Sequence, residues 1–354
     1  MSRPPRSPVT LKHIADATGL SMMTVSRAVR SRPDVSAATR RRVLATVRRL
    51  GYIPNPAART LVSRSAMPLD SARIIGAILS REVVTAHSYF SGILHGIAQE
   101  ARANDCHLLF GYGLWEDEPS AYPRMLREMM TRWIVLVGKA PAPLIQQLRN
   151  TGFSLVLVDM RPPVRHVDAV VCDDAAGAYE GTRHLIRLGH RRVALIRGPA
   201  RHPFAQALHS GYRRALHDAG LPVEEPLVAE GPLTPTGGYE AASALLRAPH
   251  RPTAVFTNDD MAIGVLRACF EQGLRVPEDV AVVGFDDIEY AAHTTPPLTT
   301  VAVPKEEMGR LAVQRAIAQL EEGEEHIFST TVVSHSLVVR ASCGTGSKRG
   351  RSGS

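Results

Sequence analysis

The chain has little of what builds disulfide scaffolds, membrane spans or metal sites. Its four cysteines, at 106, 172, 269 and 343, stand too far apart for a C-x-x-C pair or a zinc-type spacing. That scarcity argues against a stapled secreted fold and suits thiols kept reduced in a cytoplasm. No apolar run is long enough to span a bilayer, and the opening MSRPPRSPVT has no apolar stretch of the secretion-signal type. Aromatics are few in a composition otherwise typical of a soluble globular protein. H-E-x-x-H, P-loop and G-x-S-x-G motifs are missing, and GYGLWE at 111–116 is not a dinucleotide fingerprint. The histidines, His184 and His190 among them, read as surface or satisfied polar groups. The expectation is therefore no catalytic residue, no metal, no cofactor, no membrane association and no enzyme, in a cytoplasmic protein.

What the chain does have is charge in the wrong place for a uniform surface. Residues 1–66 hold 13 Lys/Arg against two acids, Asp16 and Asp34, a net of +11. The rest carries −3 in a chain of net +8, although Lys348, Arg349 and Arg351 sit in its tail. A basic segment on an acidic body is the electrostatic footprint of a nucleic-acid module on a larger domain. A basic solubilising tail is the plainer alternative, and the helical order of the segment argues against it.

That order is local and legible. Leu11–Ala17 forms a first short helix, and Thr18-Gly19-Leu20 a turn. Ser21 caps a second helix that runs to about Arg30. Ser36 caps a third, which reaches Leu50 and stops at Gly51. Along the second helix Met22, Met23, Ser26 and Arg27 project outward, while Val25, Ala28 and Val29 point back to a core. An ordinary surface helix would not need a polar first turn with two methionines. A helix-turn-helix does, because its second helix enters the major groove. Residues 22, 23, 26 and 27 are then base readers, with Arg27 able to reach guanine through two hydrogen bonds. Thr10, Ser21, Thr24, Ser36 and Thr39 are the expected contacts to the DNA backbone.

In YIPNPAARTLVSRSA, Asn55 is a cap and Pro56 suits a first helical position. Ala57 to about Ser63 spans only about two turns, too few to stand alone in water. A plain linker is one reading of it; a hinge helix that folds on contact is the other, with leucine a known type of minor-groove wedge. From Arg73 short apolar runs alternate with helices: 74–79, 107–110, 133–137, 154–158, 169–172, 193–196, 254–256 and 280–284. This is a βαβ progression with buried parallel strands, too long for one comfortable sheet.

The expected fold is a small all-α helix-turn-helix head joined to a two-lobed α/β body with parallel sheets, like a periplasmic binding protein. The expected limits are a disordered 1–8, a head over 9–54, a hinge and linker over 55–72, a body over 73–342 and a disordered tail over 343–354. Within the body, lobe 1 covers about 73–171 and 296–327, and lobe 2 about 172–295 and 328–342.

In such sheets ligands bind beyond the carboxyl ends of the strands. Three stretches there carry polar pairs: CDDAAG (172–177), FTNDDMAIG (256–264) and GFDDIEY (284–290). Helix capping is the strong competing role for Asp173, Asp174, Asp259 and Asp260. For Asp286 it is weak, since no clear helix starts there. Asn258, a donor and acceptor, and ionised Asp286, an acceptor, suit polyol hydroxyls.

VTLKHIADATGLSMMTVSRAV, VSAATRRRV, LGYIPNPAARTL, HLIRLGHRRVALI, TNDDMAIG, LRVPEDVAVVGFDD and PPLTTV together resemble the LacI family of bacterial transcription regulators, from about Val9 to Arg340. The resemblance implies a homodimer with two DNA heads, hinge helices that form on a pseudopalindromic double-stranded operator, and a body resembling a sugar-binding protein. By motif position Met22, Met23 and Arg27 match base readers, and Asn55, Ala58 and Leu61 belong to the minor-groove hinge, with Leu61 as its lever. His87, Tyr89, Asp159, Arg197, Asn258 and Asp286 form the expected effector set, for a small molecule of the sugar or sugar-acid kind.

Departures concern that pocket. The family often has an arginine three residues before Gly211-Tyr212, where this chain has Leu208. The loop SREVVTAHSYF lacks the common Asn-Pro-Phe-Phe run, and Leu233 stands where an aromatic is frequent. Arg197, ending VALIR, is the candidate for the missing cation. The resulting expectation is a repressor whose operator affinity is set by an effector. A solute-binding module of a transport system is the rival, disfavoured because it would not need residues 1–66.

Overall fold

The computed structural model describes residues 11–29, 35–50, 73–80, 87–113 and 122–344. Two units emerge, Met1–Pro68 and Leu69–Ser354. Thr10, Asn55, Ala58 and Leu61 lie outside the described residues, so the expected hinge and one backbone contact do too.

In the head, α1 (Leu11–Thr18), α2 (Met22–Val29) and α3 (Ala37–Leu50) pack around Ile14, Ala15, Val25, Ala28 and Val43. Ile14, Val25 and Val43 are fully buried, and each such side chain contributes about 1.5–3 kcal/mol. Gly19 takes φ +60°, a left-handed turn that a side chain would strain, and this lets Leu20 N–H donate back to the Ala15 carbonyl at 3.2 Å. The Arg42 guanidinium donates to the Thr18 carbonyl at 2.6 Å, tying α3 to the end of α1.

The body holds two six-stranded sheets. In the first, β1 (Ile74–Ser80), β2 (His107–Gly113), β3 (Trp133–Val137), β4 (Ser154–Val158), β5 (Asp168–Cys172) and β11 (Thr330–Val333) run in the order β11-β5-β4-β3-β1-β2, all parallel. The second contains β6 (Val193–Arg197), β7 (Val228–Glu230), β8 (Ala254–Phe256), β9 (Ala281–Asp286), β10 (Thr299–Ala302) and β12 (Ser336–Val338), in the order β12-β10-β9-β8-β6-β7. Only β12, against β10, is antiparallel there.

Helices cover the sheets: α4 (His87–Ala103), α5 (Arg124–Arg127), α6 (Ala142–Asn150) and α11 (Lys305–Glu322) in the first lobe, and α7 (Asp174–Arg187), α8 (Pro203–Asp218), α9 (Pro235–Arg247) and α10 (Asp259–Glu271) in the second. WIVLV, and SLVLV after its first residue, are apolar because both faces of β3 and β4 are covered. Gly96 of α4 lets α11 approach so closely that a Cβ there would strike the Glu306 backbone. No described helix is long and apolar enough to cross a membrane.

Two expected limits need correction. Strand β10 lies in the second sheet, although 296–327 was assigned to lobe 1, and β11 lies in the first, although 328–342 was assigned to lobe 2. The chain therefore crosses between lobes after Cys172, after Ala302 and after Val333. The body also extends past 342: Cys343 is 3% exposed, with its thiol 3.1 Å from the Thr299 hydroxyl and 3.3 Å from His184 Nε2. It belongs to the core and not to a disordered tail.

Candidate DNA-reading surface and effector cleft

Among the described residues of the head, the large apolar side chains turn inside except Leu50 at the end of α3 and two at the start of α2. There Met22 and Met23 are 57% and 64% exposed, beside an exposed Arg27 and a half-buried Ser26. Burying those methionines elsewhere would have been favourable, so their position in the first turn suits a surface that meets a partner. Thioethers on flexible stems adapt to an irregular face such as base edges and thymine methyls.

The four expected backbone contacts that are described form two matching caps. Ser21 Oγ accepts from Thr24 N–H at 3.1 Å, and Ser36 Oγ accepts from Thr39 N–H at 3.2 Å. In each pair the two hydroxyls also lie 2.9 Å apart. Each arrangement leaves a helix N-terminus with unpaired backbone donors nearby, which is where a phosphate is stabilised.

In the body, a cleft of about 980 Å³ opens between the sheets. Its wall is built at the carboxyl ends of eight strands: Ser80 closing β1, Gly138 after β3, Asp159 after β4, Asp173 and Asp174 after β5, Pro199 after β6, Pro232 after β7, Asn258 after β8 and Asp286 closing β9. Strand ends gather there because every βα turn leaves its sheet on that side.

Of the expected effector set, Tyr89, Asp159, Asn258 and Asp286 line this cleft together. His87 opens α4, and its side chain lies outside the described residues. Arg197 does not line the cleft. Parallel pairing of β6 with β7 sets Arg197 beside Glu230, and the two side chains form an ion pair at 3.7 Å. Leu208 is fully buried in the core, and Leu233 does reach the cleft wall. Arg197 therefore does not supply the cation missing at Leu208.

The carboxylates differ in how they are held. Tyr89 Oη donates to Asp159 Oδ1 at 3.0 Å. Asp173 caps α7 by accepting from Ala176 N–H at 3.0 Å. Asn258 Oδ1 caps α10 by accepting from Met261 N–H at 3.3 Å, which leaves its amide donors for the cleft. Asp259 caps nothing. It accepts from Thr300 Oγ1 at 2.6 Å and Ile288 N–H at 2.9 Å, and so fastens the loop after β9.

Asp286 is the least provided for. It is 8% exposed, its φ is +114°, and its carboxylate accepts no hydrogen bond from the described residues. Its neighbour Asp287 takes Arg340 at 2.7 Å. Lys305 donates to the Asp286 and Asp287 carbonyls, not to the Asp286 carboxylate. Asp159 also has a positive φ, +63°. Both wall residues thus sit in a backbone region that L side chains disfavour.

Burial dominates the titration of the wall. It pushes Asp159 up to about 6 despite the Tyr89 hydrogen bond and Lys139, which act the other way. It pushes Asp174 up to about 8, with the charges of Asp159 and Asp173 adding to the rise. Asp286 moves well above the carboxylate range through desolvation, with Asp259 next and Lys305 opposing. Surface exposure leaves Asp159 and Asp174 half-buried, yet both lie deep in the mouth of the cleft, where protein mass displaces most water. Among the described residues no three donors gather closely enough for a metal ion.

Asp174, Lys139, Arg161 and Phe204 also line the cleft and were not among the expected effector contacts. The tandem Asp173-Asp174 held a usable signal, because only one of two adjacent carboxylates can cap a helix.

Residues 10–55 match the model of the bacterial regulatory proteins of the lacI family, and residues 182–343 match a periplasmic binding protein-like domain. The chain is 31% identical over 316 residues to catabolite control protein A of Priestia megaterium, covering 86% of this chain and 91% of that one. The solved transcriptional regulator CelR in complex with cellobiose superposes with a TM-score of 0.68 at 32% identity, covering 94% and 99% of the two chains. The Lac repressor bound to ONPG in its repressed state superposes with a TM-score of 0.79 at 27% identity, covering 95% and 100%. A capped reading helix in a basic head, a two-sheet body with a strained acidic cleft, and similarity along nearly the whole length have one explanation: the chain belongs to the lacI family of bacterial transcription regulators.

Proposed function

We propose that this regulator is a homodimeric repressor that reads a pseudopalindromic operator through Met22, Met23, Ser26 and Arg27. Thr10, Ser21, Thr24, Ser36 and Thr39 position the head on the phosphates, and Asn55, Ala58 and Leu61 act in the minor groove between the half-sites. Tyr89, Asp159, Asn258 and Asp286 hold a small hydroxylated effector of carbohydrate type. The observation that supports this most is the exposure of Met22 and Met23, 57% and 64%, on the first turn of a capped helix in a unit of strong positive charge.

The effector acts by preferring one arrangement of the two lobes. Its differential affinity for that arrangement sets how far the operator-binding population shifts. The related CelR–cellobiose complex agrees with a carbohydrate-type ligand here.

Selection of bound sequences from a random duplex pool tests the operator half of the reading. Recovery of two half-sites in inverted order is the expected result. Enrichment of a single, non-repeated site, or none, overturns it. Leu61→Ala is expected to weaken binding to the selected operator while leaving non-specific binding intact, because a methyl group cannot hold open an unstacked base step.

A further inference from the structure

Among the described residues the cleft wall is unbalanced in charge. Asp159, Asp173, Asp174, Asp260 and Asp286 face it, against Lys139 and Arg161. His202, Cys172 and Tyr89 are the other titratable groups on the wall. The remaining nearby cations are engaged elsewhere: Lys305 with backbone carbonyls, Arg340 with Asp287 and Arg197 with Glu230. Both basic wall residues come from the first lobe, in the loops after β3 and β4. The second-lobe wall presents Asp173, Asp174, Asp260 and Asp286 with no basic residue but His202.

Asp173 is committed to its helix cap and Asp159 to Tyr89. Asp174 and Asp286 accept no hydrogen bond from the described residues, and Asp286 is more than nine-tenths buried. A desolvated carboxylate needs a counter-charge or a proton. Burial raises Asp174 to about 8 and Asp286 well above the carboxylate range, so these two favour a proton near neutrality.

Three kinds of ligand could answer this wall. A metal ion needs donors drawn together, and no such group exists among the described residues. A sugar acid brings more negative charge to a wall already rich in it. An ammonium group brings one positive charge and three N–H donors, and the aromatic residues Tyr89 and Phe204 line the same wall.

We propose that the effector is a small hydroxylated primary amine, an amino sugar or aminopolyol, bound as its ammonium ion against Asp174 and Asp286. This rests on the cleft being the effector site. Asn258 and Asp159 take the hydroxyls, and the ammonium takes the place of protons on Asp174 and Asp286.

Two matched sets test it by calorimetry on the full-length protein at pH 7.5: glucosamine, glucose and glucuronate, then glucamine, sorbitol and gluconate. In at least one set the amine is expected to bind tenfold or more tightly than both counterparts. Its binding is expected to release protons, read as a heat that varies with the ionisation enthalpy of the buffer. Asp174→Asn and Asp286→Asn should each lower amine affinity tenfold or more and reduce the proton release. Melting curves confirm that each variant is folded, and either folded variant suffices.

An alcohol or acid that binds as tightly as its amine and is weakened by Asp286→Asn overturns the ammonium assignment and leaves the cleft as the effector site. An amine that binds best but ignores both substitutions removes the cleft itself from the reading. No amine outperforming its counterparts in either set also overturns the proposal.

Discussion

The head and the cleft recognise their partners with opposite electrostatics. In the head the charge lies on exposed arginines such as Arg27. In the cleft, the charge lies on desolvated carboxylates whose ionisation is unsettled near neutrality. A surface for a polyanion works through the number of its cations and pays little for keeping them solvated. A pocket for a small molecule works through a few groups removed from water, whose protonation the ligand can change.

The sharpest way to break this comparison is salt. Operator affinity is expected to fall by about 10³-fold or more between about 50 and about 200 mM salt, as counterions return to the phosphates. Ligand affinity in the cleft should change far less, because buried pairs are weakly screened. Titrations of both partners over one salt series measure the contrast; equal slopes would abolish it.

Next in size is Arg27→Ala. Loss of a two-bond base contact is expected to cost about 1–3 kcal/mol and to relax preference at one position per half-site. Binding measured on a set of single-base operator variants separates that outcome from uniform weakening, which would make Arg27 a phosphate contact.

The cleft predicts a dependence on pH in the other direction from ordinary ion-paired carboxylates. Asp159 and Asp174 titrate higher in the folded body than in the unfolded chain, near about 6 and about 8. The folded state therefore holds more protons in that window, and stability must fall as pH rises through it. Each kcal/mol lost lowers the melting temperature of a body this size by about 2–4 °C. Asp174→Asn should flatten the upper part of the slope. Calorimetric melting of the ligand-free protein from pH 5 to pH 9 follows both, and a rise in melting temperature with pH would contradict the assignment.

The smallest expected effect is local. Ser21→Ala removes the cap at the start of α2 and should cost the head about 1 kcal/mol, seen as a lower urea midpoint for the head with no change in slope. Ser36→Ala should match it, since the two caps share one geometry.

Much of this was legible because it depends on near neighbours in the chain. The caps at Ser21 and Ser36, the glycine turn at Gly19 and the inward run of Val25 and Ala28 all depend on residues within four positions of one another. WIVLV, SLVLV and AVF fill whole strands at the limits read from their apolar runs, since a strand covered on both faces has no polar positions to blur its ends. Strands β7, β10, β11 and β12 have only three or four residues each, with a partly exposed side chain in every one, and they exist as strands because a neighbour pairs with them.

The sequence by itself determined the reading helix, the basic head, the parallel sheets and the strand ends at which Asp159, Asn258 and Asp286 sit. Tertiary structure alone decided which charges meet. Register between β6 and β7 gave Arg197 to Glu230, helix phase gave Asp173 to a cap and Asp174 to the cleft, and the crossings after Ala302 and Val333 assigned β10 and β11 to their sheets. The physical reason is range. Capping and periodicity act within a few residues, whereas a buried charge takes its character from groups brought near it by the fold from more than a hundred positions away, as Asp286 does with Asp159 and Asp174.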